Sequence, residues 1–145
     1  MVFPDRSSQR KSLRGGASAE LALLLPLLVL GLVGGIDFCR LFFHYTTITN
    51  AARNGALWLS DPYANGTITP SRSPYASFQA AALADANNLN PALTAANVTS
   101  STGTDGHGNA TVIVTVQYQF EMISSYMGFS SVTLSRQVTM RVAPQ

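Results

Sequence analysis

Glu20 is the first residue in this chain whose chemistry demands a partner. It directly precedes Leu21–Ile36, a stretch with no charged or strongly polar side chain. A carboxylate in such surroundings is costly unless it reaches the interface or finds a cation. At the start of a helix it would face the positive end of the helix dipole. A sharper chemistry follows if the chain is cut between Gly15 and Gly16. The new α-amino group at Gly16, with an ordinary pKa of about 7.7–8.0, would stand one helical turn from Glu20. It could pair with that carboxylate or with the Glu20 of a neighbouring copy. Further on, Asp37 and Arg40 stand three residues apart, where a local ion pair can form.

Catalytic patterns are sparse. His44 and His107 have no Cys, His or carboxylate partner at metal-ligand spacing. The turn Asp105-Gly106-His107-Gly108-Asn109 offers oxygen ligands. A calcium loop of the EF-hand type that began at Asp105 would need Gly and Glu where Ala110 and Val116 stand. No nucleophile elbow, P-loop or dinucleotide fingerprint occurs. The carboxylates beyond the first helix, Asp61, Asp85, Asp105 and Glu121, fall in four different segments. We therefore expect no catalytic residue, no metal, no cofactor and no small-molecule substrate.

The elements that carry these residues begin with a membrane segment. The 145 residues make one domain at most, and 11% charged residues against about 25% in soluble domains fits a fully soluble enzyme poorly. The single Cys39 cannot staple a disulfide scaffold. Arg6, Arg10, Lys11 and Arg14 against Asp5 make the first fourteen residues basic, whereas five basic and six acidic side chains follow. The basicity is a leader, not a nucleic-acid surface, and no nucleic-acid partner is expected. Leu21–Ile36 alone covers roughly 24 Å as a helix, short of a hydrocarbon core of roughly 30 Å. Ala17–Ala19 and Phe38–Phe43 extend the apolar window enough to span with tilt. Positive charge ahead of the span predicts a cytoplasmic N-terminus and an exported remainder.

Pro26 predicts a kink near the cytoplasmic end. Gly31 and Gly35, with Cys39 one turn further, make a small-residue face where another helix can approach. Apolar residues then recur at helical spacing through Tyr45, Ile48, Ala52, Gly55 or Ala56 and Leu59, so one helix is expected from Ala17 to Leu59, ended by Asp61-Pro62. A short helix is expected over Ala76–Leu89 and a weak strand over Asn97–Ser101. Val112, Val114, Val116, Tyr118 and Phe120 alternate with Thr111, Ile113, Thr115, Gln117 and Gln119, and Val132, Leu134, Val138, Met140 and Val142 repeat the alternation with Arg136 interrupting. These two strands predict an antiparallel hairpin joined by Met122–Ser131. Its apolar face must pack on something, and Tyr45–Leu59 offers itself. The expected class is α+β: a long N-terminal transmembrane and amphipathic helix carrying a small exported domain with a short helix and an antiparallel hairpin or three-stranded sheet.

The run Arg14-Gly15-Gly16-Ala17-Ser18-Ala19-Glu20, followed by an apolar stretch with Leu25-Pro26, resembles the N-terminus of TadE-like proteins, pseudopilins of bacterial tight-adherence (Flp pilus) systems. The resemblance continues through Asp37-Phe38-Cys39-Arg40 and Asn50-Ala51-Ala52-Arg53-Asn54-Gly55-Ala56. It implies a pilin-like plan and a chain without catalysis of its own. It further implies a substrate for a membrane prepilin peptidase that cuts between Gly15 and Gly16, and a partner of other pilin-like subunits in assembling an adhesive pilus or its secretion machine. The expected division is a cytoplasmic leader 1–15, a transmembrane helix 16–43 and an exported domain 44–145, in the bacterial inner membrane or, beyond it, in the pilus. Two other outcomes stay open. A secretory signal would be cut after Gly35, and an unprocessed signal anchor would tether an exported domain that binds a surface ligand or envelope partner. A lipoprotein is ruled out, because Asp37-Phe38 before Cys39 lacks the small residues that lipidation requires.

Overall fold

The computed structural model describes residues 10–128 and 131–144, by backbone alone at 10–15 and 126–127. One helix, α1, runs from Arg10 to Ser60 and continues through Pro26. It starts seven residues before the expected Ala17, because neither Gly15 nor Gly16 interrupts it. At its other end the residue before a proline disfavours helical geometry. Asp61 N–H makes a last helical bond to Leu57 O at 3.1 Å, and Ser60 Oγ–H donates to the same carbonyl at 3.0 Å. Loop 61–77 then folds on its own side chains, Asp61 Oδ1 accepting from Tyr63 N–H and Asn65 Oδ1 from Thr67 N–H.

Helix α2 spans Phe78–Asp85, shorter than the expected Ala76–Leu89. Ser77 caps it, its hydroxyl oxygen accepting from Ala80 N–H at 3.1 Å. Beyond Ala86 the chain leaves the helix at Asn87-Asn88, residues whose side chains compete for backbone groups. Three antiparallel strands follow: β1 Val98–Thr104, β2 Ala110–Phe120 and β3 Val132–Arg141, in the spatial order β1-β2-β3. The expected sheet is present with three strands. The turn between β1 and β2 is the Asp105–Asn109 segment, with Gly108 at φ +81°. The connection from β2 to β3 contains a 3-10 helix over Ile123–Met127, ended by Gly128 in the left-handed region at φ +95°.

The period-two pattern of β2 becomes its packing. Val114, Val116, Tyr118 and Phe120 are buried against Ile48, Ala51, Ala52 and Ala56 of α1, and Ala82, Ala86 and Leu89 close the core from the side of α2. Each large side chain fully removed from water here, Ile48 and Phe120 among them, contributes roughly 1.5–3 kcal/mol. Alanines on α1 bring the sheet close, and Gly55 sets the limit. A Cβ there would lie 3.3 Å from both Phe78 O and Val114 Cγ1. Arg136 keeps its place on the inner face opposite Val116, where its guanidinium lies 4.9 Å from the Tyr45 ring centre.

Strand β2 runs back along the second half of α1. Gly55 meets Val114, whereas the carboxylate of Asp37 meets the segment just after Phe120. The chain then returns along β3, and Ala143 N–H donates to Ser60 O at 2.9 Å. The sheet thus covers α1 from about Asp37 to Ser60, and residues 16–32 remain exposed along the whole helix surface.

Candidate functional site

Three groups of residues on α1 carry the expected chemistry. The first is Gly15, Gly16 and Glu20. The backbone of both glycines lies within α1, and Glu20 is exposed on the same helix, one turn beyond Gly16. A peptidase acting between the two glycines would need extended backbone and so must unwind this turn. Glycine lowers that cost by about 1 kcal/mol per residue relative to alanine. Among the cationic leader residues, Arg6 lies outside the described residues, as does Asp5.

The second group is Gly31 and Gly35. Both are exposed, and a Cβ built at either would meet nothing within 4 Å. Among the described residues nothing covers this face. Gly34, between them, is equally open and lies on the wall of a groove described below. Cys39, one turn on from Gly35, is exposed with a free thiol.

The third group, Asp37 and Arg40, is held by contacts across the fold. Arg40 Nη1 lies 3.2 Å from Asp37 Oδ1, so the i, i+3 pair is made. Asp37 also accepts two backbone bonds from the β2–β3 connection: Ile123 N–H to Oδ1 at 2.8 Å and Ser124 N–H to Oδ2 at 2.9 Å. Those two N–H groups open the 3-10 helix and would otherwise lack acceptors. Arg40 adds a longer bond of 3.4 Å to Glu121 O and places its guanidinium 5.2 Å from the Phe120 ring centre. Asp37 is 5% exposed, so its charge is enclosed by donors and not by water. Sequence spacing gave the local half of this arrangement. Ile123 and Ser124 were missed because backbone donors leave no mark in a sequence. The available signal was Gly128, a glycine that can end a short helical turn after Phe120.

His44 belongs to the same region. It is buried one turn above Arg40, stacked on Tyr118 with ring centres 5.3 Å apart and tilted against Phe120 at 5.1 Å. Its Nδ1 has no hydrogen-bond partner among the described residues. Its role is packing at the bottom of the sheet. His107 sits exposed on the distal turn, where Asp105 Oδ1 accepts from the backbone N–H groups of His107 and Asn109 at 2.9 and 2.8 Å. Arg141 reaches the other oxygen of Asp105 at 2.6 Å. Hydrogen bonds from Asn109, side chain and backbone, hold this carboxyl well below the usual aspartate range, and Arg141 adds to them. Both carboxylate oxygens of Asp105 are thus committed to the fold of the turn. Among the described residues no group of three His, Cys, Asp or Glu side chains is placed to hold a metal ion.

Along α1, residues 16–60 are long and apolar enough to cross a membrane, and very little of the most apolar window is buried within the chain. One such helix near the N-terminus suggests a single-pass membrane anchor.

The family model for TadE-like proteins matches residues 15–57. No curated protein and no solved structure gives a significant match. The matched stretch takes in Gly15, Gly16, Glu20, the Gly31–Gly35 face, Asp37 and Arg40 and stops three residues short of the end of α1; over that stretch, less than half of the chain, this protein is similar to TadE-like proteins.

Proposed function

We propose that this chain is a non-catalytic, minor pilin-like membrane protein, cut between Gly15 and Gly16 by a prepilin peptidase and used in assembling an adhesive pilus or its secretion machine. One observation carries the reading: the TadE-like match, residues 15–57, begins at the two glycines and takes in the whole exposed apolar stretch of α1. Residues 1–15 act as the cytoplasmic leader, 16–43 as the span in the inner membrane, and 44–145 as the exported domain. Gly15 gives the peptidase unobstructed backbone, and Gly16 supplies the new amino group. Glu20 pairs with such an amine, in its own chain or in a neighbouring subunit. Gly31 and Gly35 accept the close approach of a partner helix. The second reading, a signal-anchored envelope protein whose exported domain binds a surface ligand or partner, draws on the sheet domain packed on the second half of α1.

Glu20→Ala separates processing from assembly. The variant should be cut normally, because the scissile glycines are intact, yet leave pili few or absent when surface pili are counted. Wild-type piliation with Ala at this position would remove the amine-pairing role.

A further inference from the structure

The β2–β3 connection meets α1 at a depth that a domain held clear of the membrane would avoid. Ile123 and Ser124 are bound to Asp37, which follows directly on the apolar run Leu21–Ile36. Asp37 does not end the apolar surface, because its charge is turned into the protein. Phe38 beside it is 70% exposed, and Phe42 and Phe43 continue the exposed aromatic surface above. Ile123, on the connection itself, is 44% exposed. Arg40, partly exposed, and Glu121, exposed, mark where polar headgroups can be met. Asp37 lies three residues below Arg40, roughly 4–5 Å along the axis.

The backbone at this depth fits a water-poor setting. Irregular backbone is tolerated in a membrane only where its polar groups are satisfied within the protein. Here Asp37 takes the first two N–H groups of the 3-10 helix, and Ser125 and Gly128 donate to Met122 O and Ser125 O at 3.2 and 3.0 Å. Between the connection and α1 runs an open groove of about 310 Å³, lined almost wholly by apolar groups. Its α1 wall starts at Leu30, about 10 Å deeper than Asp37, and rises through Val33 and Phe38, with Phe120 and Met122 opposite.

We propose that the start of the β2–β3 connection, at Met122–Ser124, is a second membrane contact, seated at the headgroup–acyl boundary of the outer leaflet, and that the groove beneath it holds a lipid acyl chain. The occupant follows from continuity: the groove wall is the same exposed helix surface that faces lipid below it. Aromatic rings at Phe38, Phe42 and Phe43 form the interfacial belt such a seat requires. The proposal goes beyond the pilus role and rests only on α1 being a membrane span.

The test uses the full chain with Cys39→Ser, carrying one cysteine at Leu28, Ile123 or His107, each labelled with a polarity-sensitive fluorophore. The protein is placed in phosphatidylethanolamine–phosphatidylglycerol vesicles containing lipids whose doxyl quencher sits near either end of the acyl chain. Leu28, Ile123 and His107 are all exposed, so the labels stay out of the core. The label at 123 should be quenched several-fold more by the shallow doxyl lipid than the label at 107, and should resist aqueous iodide. The label at 28 should respond most to the deep doxyl lipid. Quenching at 123 by iodide and not by lipid, with 28 still quenched by lipid, would overturn the proposal and leave the span intact. Protection of 123 from both quenchers would also overturn it, in favour of a protein partner in the groove. Loss of lipid quenching at 28 would remove the span and the proposal together.

Discussion

Asp37 bonds two adjacent amides that lie 86 and 87 positions from it in sequence, and its effect should be readable at single amides. Asp37→Ala should speed hydrogen exchange at Ile123 and Ser124 by about tenfold or more, since both donors lose their acceptor, and Asp37→Asn should retain part of the protection. Unchanged exchange at both would contradict the clamp. Asp105 gives a pH dependence of known sign. Its folded pKa is depressed, chiefly by Asn109, so the folded state binds fewer protons than the unfolded one between the two pKa values. The stabilisation is present above the ordinary aspartate pKa of about 3.9 and is lost as pH falls through the lower, folded value. Amide shifts of His107 and Asn109 should therefore hold their neutral-pH positions down to the ordinary aspartate range and move only below it. Asp105→Asn should abolish that acid transition. A midpoint at the ordinary value would contradict the hydrogen-bonded carboxylate. Sequence spacing showed the Asp37–Arg40 pair because it is local. It could not show Arg141 on Asp105 or His44 among the rings of Tyr118 and Phe120, since these contacts exist only once the strands are registered.

At the scale of elements, Gly55 marks a close approach of both α2 and β2 to α1. Gly55→Val should destabilise the domain by about 1–3 kcal/mol through overpacking, seen as a lower thermal midpoint in near-ultraviolet circular dichroism with α1 still helical. An unchanged midpoint would mean that the core is looser than its distances imply. The long helix and strands β2 and β3 were readable in the sequence because burial imposes periods of 3.6 and 2 on them. Strand β1 was weaker, because an edge strand of Thr, Ser and Gly has little burial to impose a pattern. The sequence placed it at Asn97–Ser101, whereas it runs over Val98–Thr104. Helix α2 was drawn too long for a related reason: Ala86 and Leu89 are buried like helical residues, although the chain between them has left the helix. Arg136 broke the pattern of β3 on paper without breaking the strand, because Tyr45 gives its guanidinium an aromatic face.

For the molecule as a whole, α1 divides into one half sheathed by its own sheet and one half, residues 16–32, that is exposed all round. The sheathed half explains the fold. The TadE-like match, residues 15–57, takes in both halves, and the bare half explains nothing about a solitary protein. Chain cleavage at the start of that half is the central claim. Its most direct test is the intact mass of the protein expressed with and without its cognate prepilin peptidase. The account predicts a chain that begins at Gly16 only when the peptidase is present. A chain beginning at Ile36, or an intact leader under both conditions, would contradict it.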